Sequence, residues 1–152
     1  MIFDRVLFYH LQRQPIEKVL PQLLEKSVER GWRVVVESSS EERIDALDAY
    51  LWTYRDDGFL AHGTYRESEA AAQPVLLTVH DHNPNGASVR FLIDGTAVPA
   101  DAARYQRIVL LFDGEDDQAV AAARLRWTEA KSQGFETTYW QCDENGRWQK
   151  KA

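Results

Sequence analysis

The chain has 152 residues, of which 44% are hydrophobic and 28% charged, and carries a net charge of −6. That length suits one unit around one core, residues 1–152, and the composition excludes a disordered chain. The charge has the wrong sign for a protein whose whole surface grips nucleic acid. Direct DNA contact would need a local basic patch, so any role in DNA metabolism is expected to run through protein partners, with DNA reached only indirectly.

No apolar run approaches the roughly 18 residues that span a bilayer, and Met1 to Arg5 lacks the pattern of a secretory signal. A cytoplasmic chain without membrane contact is expected. Cys142 is the sole cysteine, which excludes an internal disulfide and a cysteine zinc site. Nothing near it in sequence supplies a base.

Ile2 to Tyr9, rich in β-branched and aromatic residues, reads as a buried strand. Pro15 suits the first turn of a helix. Ile16, Val19, Leu20, Leu23, Leu24 and Val28 recur at three- and four-residue spacing as its apolar face. Pro21 inside that pattern predicts a kink or a late start. Gly31 closes the helix, and Trp32 to Val36 gives a second strand, completing a βαβ unit. Ser39 and Glu42 form a capping-box signature for a second helix with Ile44, Leu47 and Leu51 buried.

Residues 55–73 read as a long connection with a short extended piece at Phe59-Leu60-Ala61. Val75 to Val79 is a strand after Pro74, Asn83-Pro84-Asn85-Gly86 a turn, and Ser88 to Ile93 another strand. Arg107 to Phe112 reads as a central strand. Glu115-Asp116-Asp117 then opens a last helix, favoured there by the macrodipole, that runs to about Gln133 and stops at Gly134. Phe135 to Gln141 is a final strand before a polar tail, Asp143 to Ala152. Alternating strands and helices predict an α/β fold, a three-layer α/β/α sandwich with a largely parallel sheet.

Such a Rossmann-like frame invites a nucleotide site, but no Gly-x-Gly-x-x-Gly or Gly-x4-Gly-Lys-Ser/Thr occurs. The first strand–helix junction, Tyr9-His10-Leu11-Gln12-Arg13-Gln14, is bulky where a phosphate needs bare amides. No cofactor is expected. His80-Asp81-His82 is the best metal candidate; its ordinary reading is a polar strand end entering a turn, and no metal is assigned. No Gly-x-Ser-x-Gly elbow marks a nucleophile.

Several segments together resemble the chi subunit family of bacterial DNA polymerase III. They are Val6-Leu7-Phe8-Tyr9, Gly31-Trp32-Arg33-Val34-Val35-Val36, Leu47-Asp48-Ala49-Tyr50-Leu51-Trp52, Phe59-Leu60-Ala61-His62 and Pro74-Val75-Leu76-Leu77-Thr78. Asn85, Phe91-Leu92-Ile93-Asp94-Gly95, Arg104-Tyr105 and Ile108-Val109-Leu110-Leu111-Phe112 follow. Ala123-Arg124, Trp127, Lys131, Gly134-Phe135 and Trp140 complete the pattern over nearly the whole chain. Each motif is weak; their order and spacing carry the likeness.

The resemblance implies a non-catalytic accessory subunit of the clamp loader. It would join the loader, through the psi subunit, to single-stranded-DNA-binding protein by holding that protein's acidic, phenylalanine-ended C-terminal tail. Arg124, Trp127, Thr128 and Lys131 fall at i, i+3, i+4 and i+7 on the last helix. Arginine can fork onto a carboxylate, and an indole can wall a slot for the terminal ring. The competing reading buries Val120, Ala123, Trp127 and Ala130 and leaves Arg124 and Lys131 solvated. Val120 and Thr128 stand where the family pattern carries further lysines, so the grip is weaker or Arg126 compensates. Trp52 and Phe59 match family positions for psi, or for a helicase competing with it; their ordinary reading is core packing. Two other functions fit the sequence: a small nucleotide- or metal-dependent enzyme, and a helicase-associated adaptor without a clamp loader.

Overall fold

Seven strands that run parallel, and an eighth that turns back, form one sheet in a computed structural model that describes residues 5–12, 14–56, 58–142 and 147–152. The elements are β1 Arg5–Leu11, α1 Ile16–Glu29, β2 Val34–Glu37, α2 Glu41–Thr53, β3 Gly63–Thr64, β4 Val75–Thr78 and β5 Val89–Leu92. They continue as β6 Arg107–Asp113, α3 Asp117–Ser132, β7 Glu136–Cys142 and β8 Trp148–Lys150. The spatial order is β3-β4-β2-β5-β6-β1-β7-β8, and only the β7–β8 pair is antiparallel. Residues 1–4 of the expected first strand, Arg13 and residues 143–146 of the expected tail lie outside the described residues.

Side-chain alternation divides the interior. Leu11, Val34, Val36, Val75, Leu77, Phe91, Val109 and Leu111 pack against α1 and α2 on one face. Val6, Phe8, Leu92, Ile108, Leu110 and Phe112 pack against α3 on the other. Chain direction explains the split. From β1 the chain returns through α1 to β2; from β6 it returns through α3 to β7, on the far side of β1. Right-handed crossovers in opposite directions place their helices on opposite faces. The result is the three-layer α/β/α sandwich.

Local chemistry moved several boundaries. Helix α1 starts at Ile16 with Pro15 as its N-cap and passes through buried Pro21 without ending. Proline there withholds only the amide that would have met the Glu17 carbonyl. Gly31 and Gly134, with φ of 81° and 86°, end α1 and α3. The amides of Trp32 and Phe135 turn back to the carbonyls of Ser27 and Ala130.

The cap of α2 is Ser40, not Ser39; its oxygen accepts from the Arg43 amide at 3.2 Å. The other two serines are committed to Asp94, Ser38 to its carboxylate at 2.6 Å and Ser39 to its carbonyl at 3.0 Å. The extended piece expected at residues 59–61 is displaced to Gly63–Thr64, which pairs with β4. Within the polar tail, Trp148–Lys150 adds an edge strand that the sequence reading did not contain.

On the α3 face the far half of the sheet is roofed by turns, and buried Arg90 of β5 fastens them. Its Nε and Nη2 donate to Glu37 of β2. Nη2 also donates to the His80 carbonyl at 2.8 Å, and Nη1 to the His82 carbonyl at 2.7 Å and the Tyr105 hydroxyl at 3.1 Å. These five bonds match the five N–H groups of a guanidinium. Arg90→Ala leaves the Glu37 carboxylate without its partner and should cost about 3–5 kcal/mol in urea denaturation; replacing both residues by apolar ones of similar volume should recover most of it. A loss below about 1 kcal/mol would remove this network from the stability of the fold.

Candidate partner-binding site

Helix α3 is capped by Asp116, whose carboxylate accepts from the amides of Gln118 and Ala119. The helix lies on β1, β6 and β7 with Ala123 and Ala130 buried. Trp127, one turn beyond Ala123, is half-buried and meets Phe8 edge-to-face with centroids 5.2 Å apart. Beside it opens an apolar cavity of about 320 Å³ lined by Phe8, Phe112, Val120, Trp127 and Tyr139, with Arg124 and Ala152 at its border.

Arg124 is exposed, and among the described residues no carboxylate pairs with its guanidinium. The Lys131 ammonium sits 4.8 Å from the Trp127 ring centroid. The Thr128 hydroxyl donates back to the Arg124 carbonyl at 3.1 Å, which leaves its lone pairs outward. Arg126 instead pairs with Glu129 and donates to the Gly95 carbonyl, so it is not on this rim. Arg124 and Trp127 therefore share one edge of one cavity, and Lys131 reaches it only through the Trp127 ring. Trp127 belongs at once to the buried stripe and to the cavity wall.

The cavity floor holds a polar pair that sequence reasoning missed. His10 Nδ1 of β1 is hydrogen-bonded to the Tyr139 hydroxyl of β7. The β6–α3 turn crosses the imidazole so closely that a β-carbon on Gly114 would lie 1.8 Å from His10 Nε2. Burial lowers the His10 pKa from 6.5, with Asp113 opposing. Burial raises that of Tyr139, with the Arg124 charge opposing. Strand alternation was the available signal for these residues: Phe8, His10 and Phe112 share the parity of the α3 face.

Trp52 and Phe59 come together at the surface, 57% and 73% exposed, with ring centroids 5.8 Å apart. Buried His62 supports them, with its ring centroid 4.9 Å from that of Trp52. Its Nδ1 lies 2.8 Å from the Leu60 carbonyl and its Nε2 3.2 Å from that of Asp48 on α2. Core packing does not describe either aromatic.

A second cavity, of about 390 Å³, lies at the carboxyl ends of β5 and β6, where an open α/β sheet would take a small ligand. Its charges are engaged internally. Arg43 forks onto Asp94 through two bonds of 3.1 Å, which raises the arginine pKa, and Asp116 caps α3. His80 and His82 face each other at 5.6 Å between centroids, but His82 Nε2 is 2.8 Å from the Thr78 hydroxyl. Among the described residues no group of three or more His, Cys, Asp or Glu is disposed to hold a metal.

Because the folded His10 has a lowered pKa, the unfolded chain takes up this proton first as the pH falls. The His10 contribution to stability is thus complete above pH 6.5 and is lost progressively below it. Comparing urea midpoints at about pH 7.5 and about pH 5.5, His10→Gln should narrow the difference seen in the wild type; an unchanged difference would remove His10 from the pH response.

Residues 3–138 match the family described as DNA polymerase III chi subunit, HolC. The probable DNA polymerase III subunit chi of Rickettsia prowazekii (strain Madrid E) is 28% identical to this chain, over 69% of it and 67% of the relative. The family match runs from the start of β1 into β7 and includes α3 and both exposed aromatics. The chain belongs to the DNA polymerase III chi subunit family, accessory subunits of the machinery of DNA replication.

Proposed function

We propose that this protein is a non-catalytic cytoplasmic adaptor, acting as one chi-like unit over residues 1–152, that ties the clamp loader to single-stranded-DNA-binding protein by holding that protein's acidic C-terminal tail. The observation that carries this reading is an arginine, with no carboxylate partner among the described residues, at the lip of an apolar cavity walled by an indole. A chain-ending phenylalanine presents a carboxylate and a ring a few ångströms apart. Arg124 can hold the carboxylate through two charge-assisted bonds, while Phe8, Phe112, Val120 and Trp127 surround the ring. Lys131 and the outward Thr128 hydroxyl continue the polar rim toward the helix end, where acidic residues of the tail would run. The acidic turn before α3 repels a tail laid the other way.

Trp52 and Phe59 supply the second contact, with psi or with a helicase in its place. Two neighbouring exposed aromatics held from beneath by a buried imidazole have the form of an interface anchor. At these two contacts DNA is reached through the partner protein.

In fluorescence anisotropy with an acidic, phenylalanine-ended peptide, Arg124→Ala should weaken binding by roughly 2 kcal/mol or more. Unchanged affinity would remove the assigned site, and no binding by the wild type would remove the function. In a separate pull-down with the purified partner, Trp52→Ala with Phe59→Ala should abolish capture while peptide binding persists. Retained capture would remove that interface.

A further inference from the structure

We propose that the face of the sheet opposite α3 carries a second binding surface that takes single-stranded nucleic acid, with a backbone phosphate between Tyr9, Arg30 and Arg107 and bases stacked on Trp148 and Trp140. Helix α1 makes its main sheet contacts with β6 and β2, and its Lys26 and Arg30 border the cleft that Trp140 of β7 and Trp148 of β8 also line. Tyr9 is in register with Trp140, and Trp140 with Lys150, so all three project on that side, as does Trp148 two residues before Lys150. Tyr9 and Trp148 stack, centroids 4.6 Å apart and planes 28° from parallel, and Trp140 meets Tyr9 edge-on at 6.4 Å. Both indoles are half-buried.

Cations border this aromatic column. The guanidinium groups of Arg30, at the end of α1, and Arg107, at the start of β6, lie 5.3 and 5.2 Å from the centroid of the same Trp32 ring. Both lie close enough to the Tyr9 hydroxyl to oppose the rise in its pKa caused by burial. The cleft that joins them, about 180 Å³, also includes Lys26 and contains no carboxylate among its lining residues, although the chain carries −6 overall. No carboxylate pairs with Lys26, Arg30 or Lys150 among the described residues.

The combination selects the ligand class. A phosphate diester needs N–H and O–H donors around one point, and a nucleobase needs a flat apolar face beside it. An acidic peptide would satisfy the cations and leave the indole column without a planar partner. Single strands expose their bases for such stacking, whereas a duplex does not.

The test uses the full chain and a fluorescein-labelled oligothymidylate of roughly 15 nucleotides at low salt. Wild type should raise its anisotropy, with a slope of log affinity against log salt of about −2 to −3, as three or four phosphate contacts require. Lys26→Glu with Arg30→Glu should weaken binding at least about tenfold, and Trp148→Leu at least about fivefold, with far-UV circular dichroism unchanged. An abasic oligomer of equal length should bind correspondingly more weakly than the oligothymidylate. No anisotropy change with wild type, equal binding by the charge-reversed chain, equal binding of the abasic oligomer, or equally tight binding of an oligoglutamate of the same charge would each overturn the assignment. Arg124→Ala should leave this binding intact, and Lys26→Glu with Arg30→Glu should leave the tail-peptide affinity intact, so the two surfaces are judged separately.

Discussion

The arrangement depends most on a buried charge, the guanidinium of Arg90. A strand in the middle of a parallel sheet is usually covered by helices on both faces, and α3 makes its main contacts with β1, β6 and β7 on its side. Over β2 and β4 the cover is made of turns, whose backbone carbonyls must be satisfied without a helix's own ladder. Arg90 meets two of them, at His80 and His82, while its charge is balanced by Glu37 from the neighbouring strand. Buried Asn85 acts in the same way, donating to the carbonyls of Val34 and Gln73. Polar side chains here perform the task that apolar helix faces perform elsewhere in the fold. This also explains the other reading of His80-Asp81-His82: those residues are a roof segment fastened through its main chain.

Where one physical signal dominates, the fold was legible in the residues. Three- and four-residue apolar spacing located α1 and α2, glycines located the ends of α1 and α3, and short β-branched runs located the inner strands. Errors arose where neighbours compete. Three consecutive serines each suit a cap, and only tertiary bonds to Asp94 decide that Ser40 is the one available. Strand β8 carries Gln149 and two lysines nearby and has no apolar run; its place comes from pairing with β7 and from Tyr9 stacking on Trp148, both long-range. The exposed Phe59 drew the extended segment too early, because a large aromatic in a connection reads as core when its surroundings are unseen.

The α3 cavity divides in the same way. Its helical side was accessible because i, i+3 and i+7 positions necessarily share a face. Its floor comes from β1, β6 and β7, with β1 about a hundred or more positions from the other two, and no local pattern ties Phe8 and His10 to Tyr139. The basic and aromatic face of β7 and β8 stayed hidden for a related reason. Its cations are scattered through a chain of opposite net charge, and only the strand order gathers them.

Strand β1 sits between β6 and β7, bonded on both sides, and sends Phe8 and His10 to one layer and Tyr9 and Leu11 to the other. Its residue count is therefore as constrained as its composition. Deleting or inserting one residue between Val6 and Leu11 would reverse every later side chain, turning the imidazole toward α1 and the phenol toward Trp127. Length changes among related chains should accordingly fall in the connections, while this strand keeps an invariant number of residues even where the residues themselves differ.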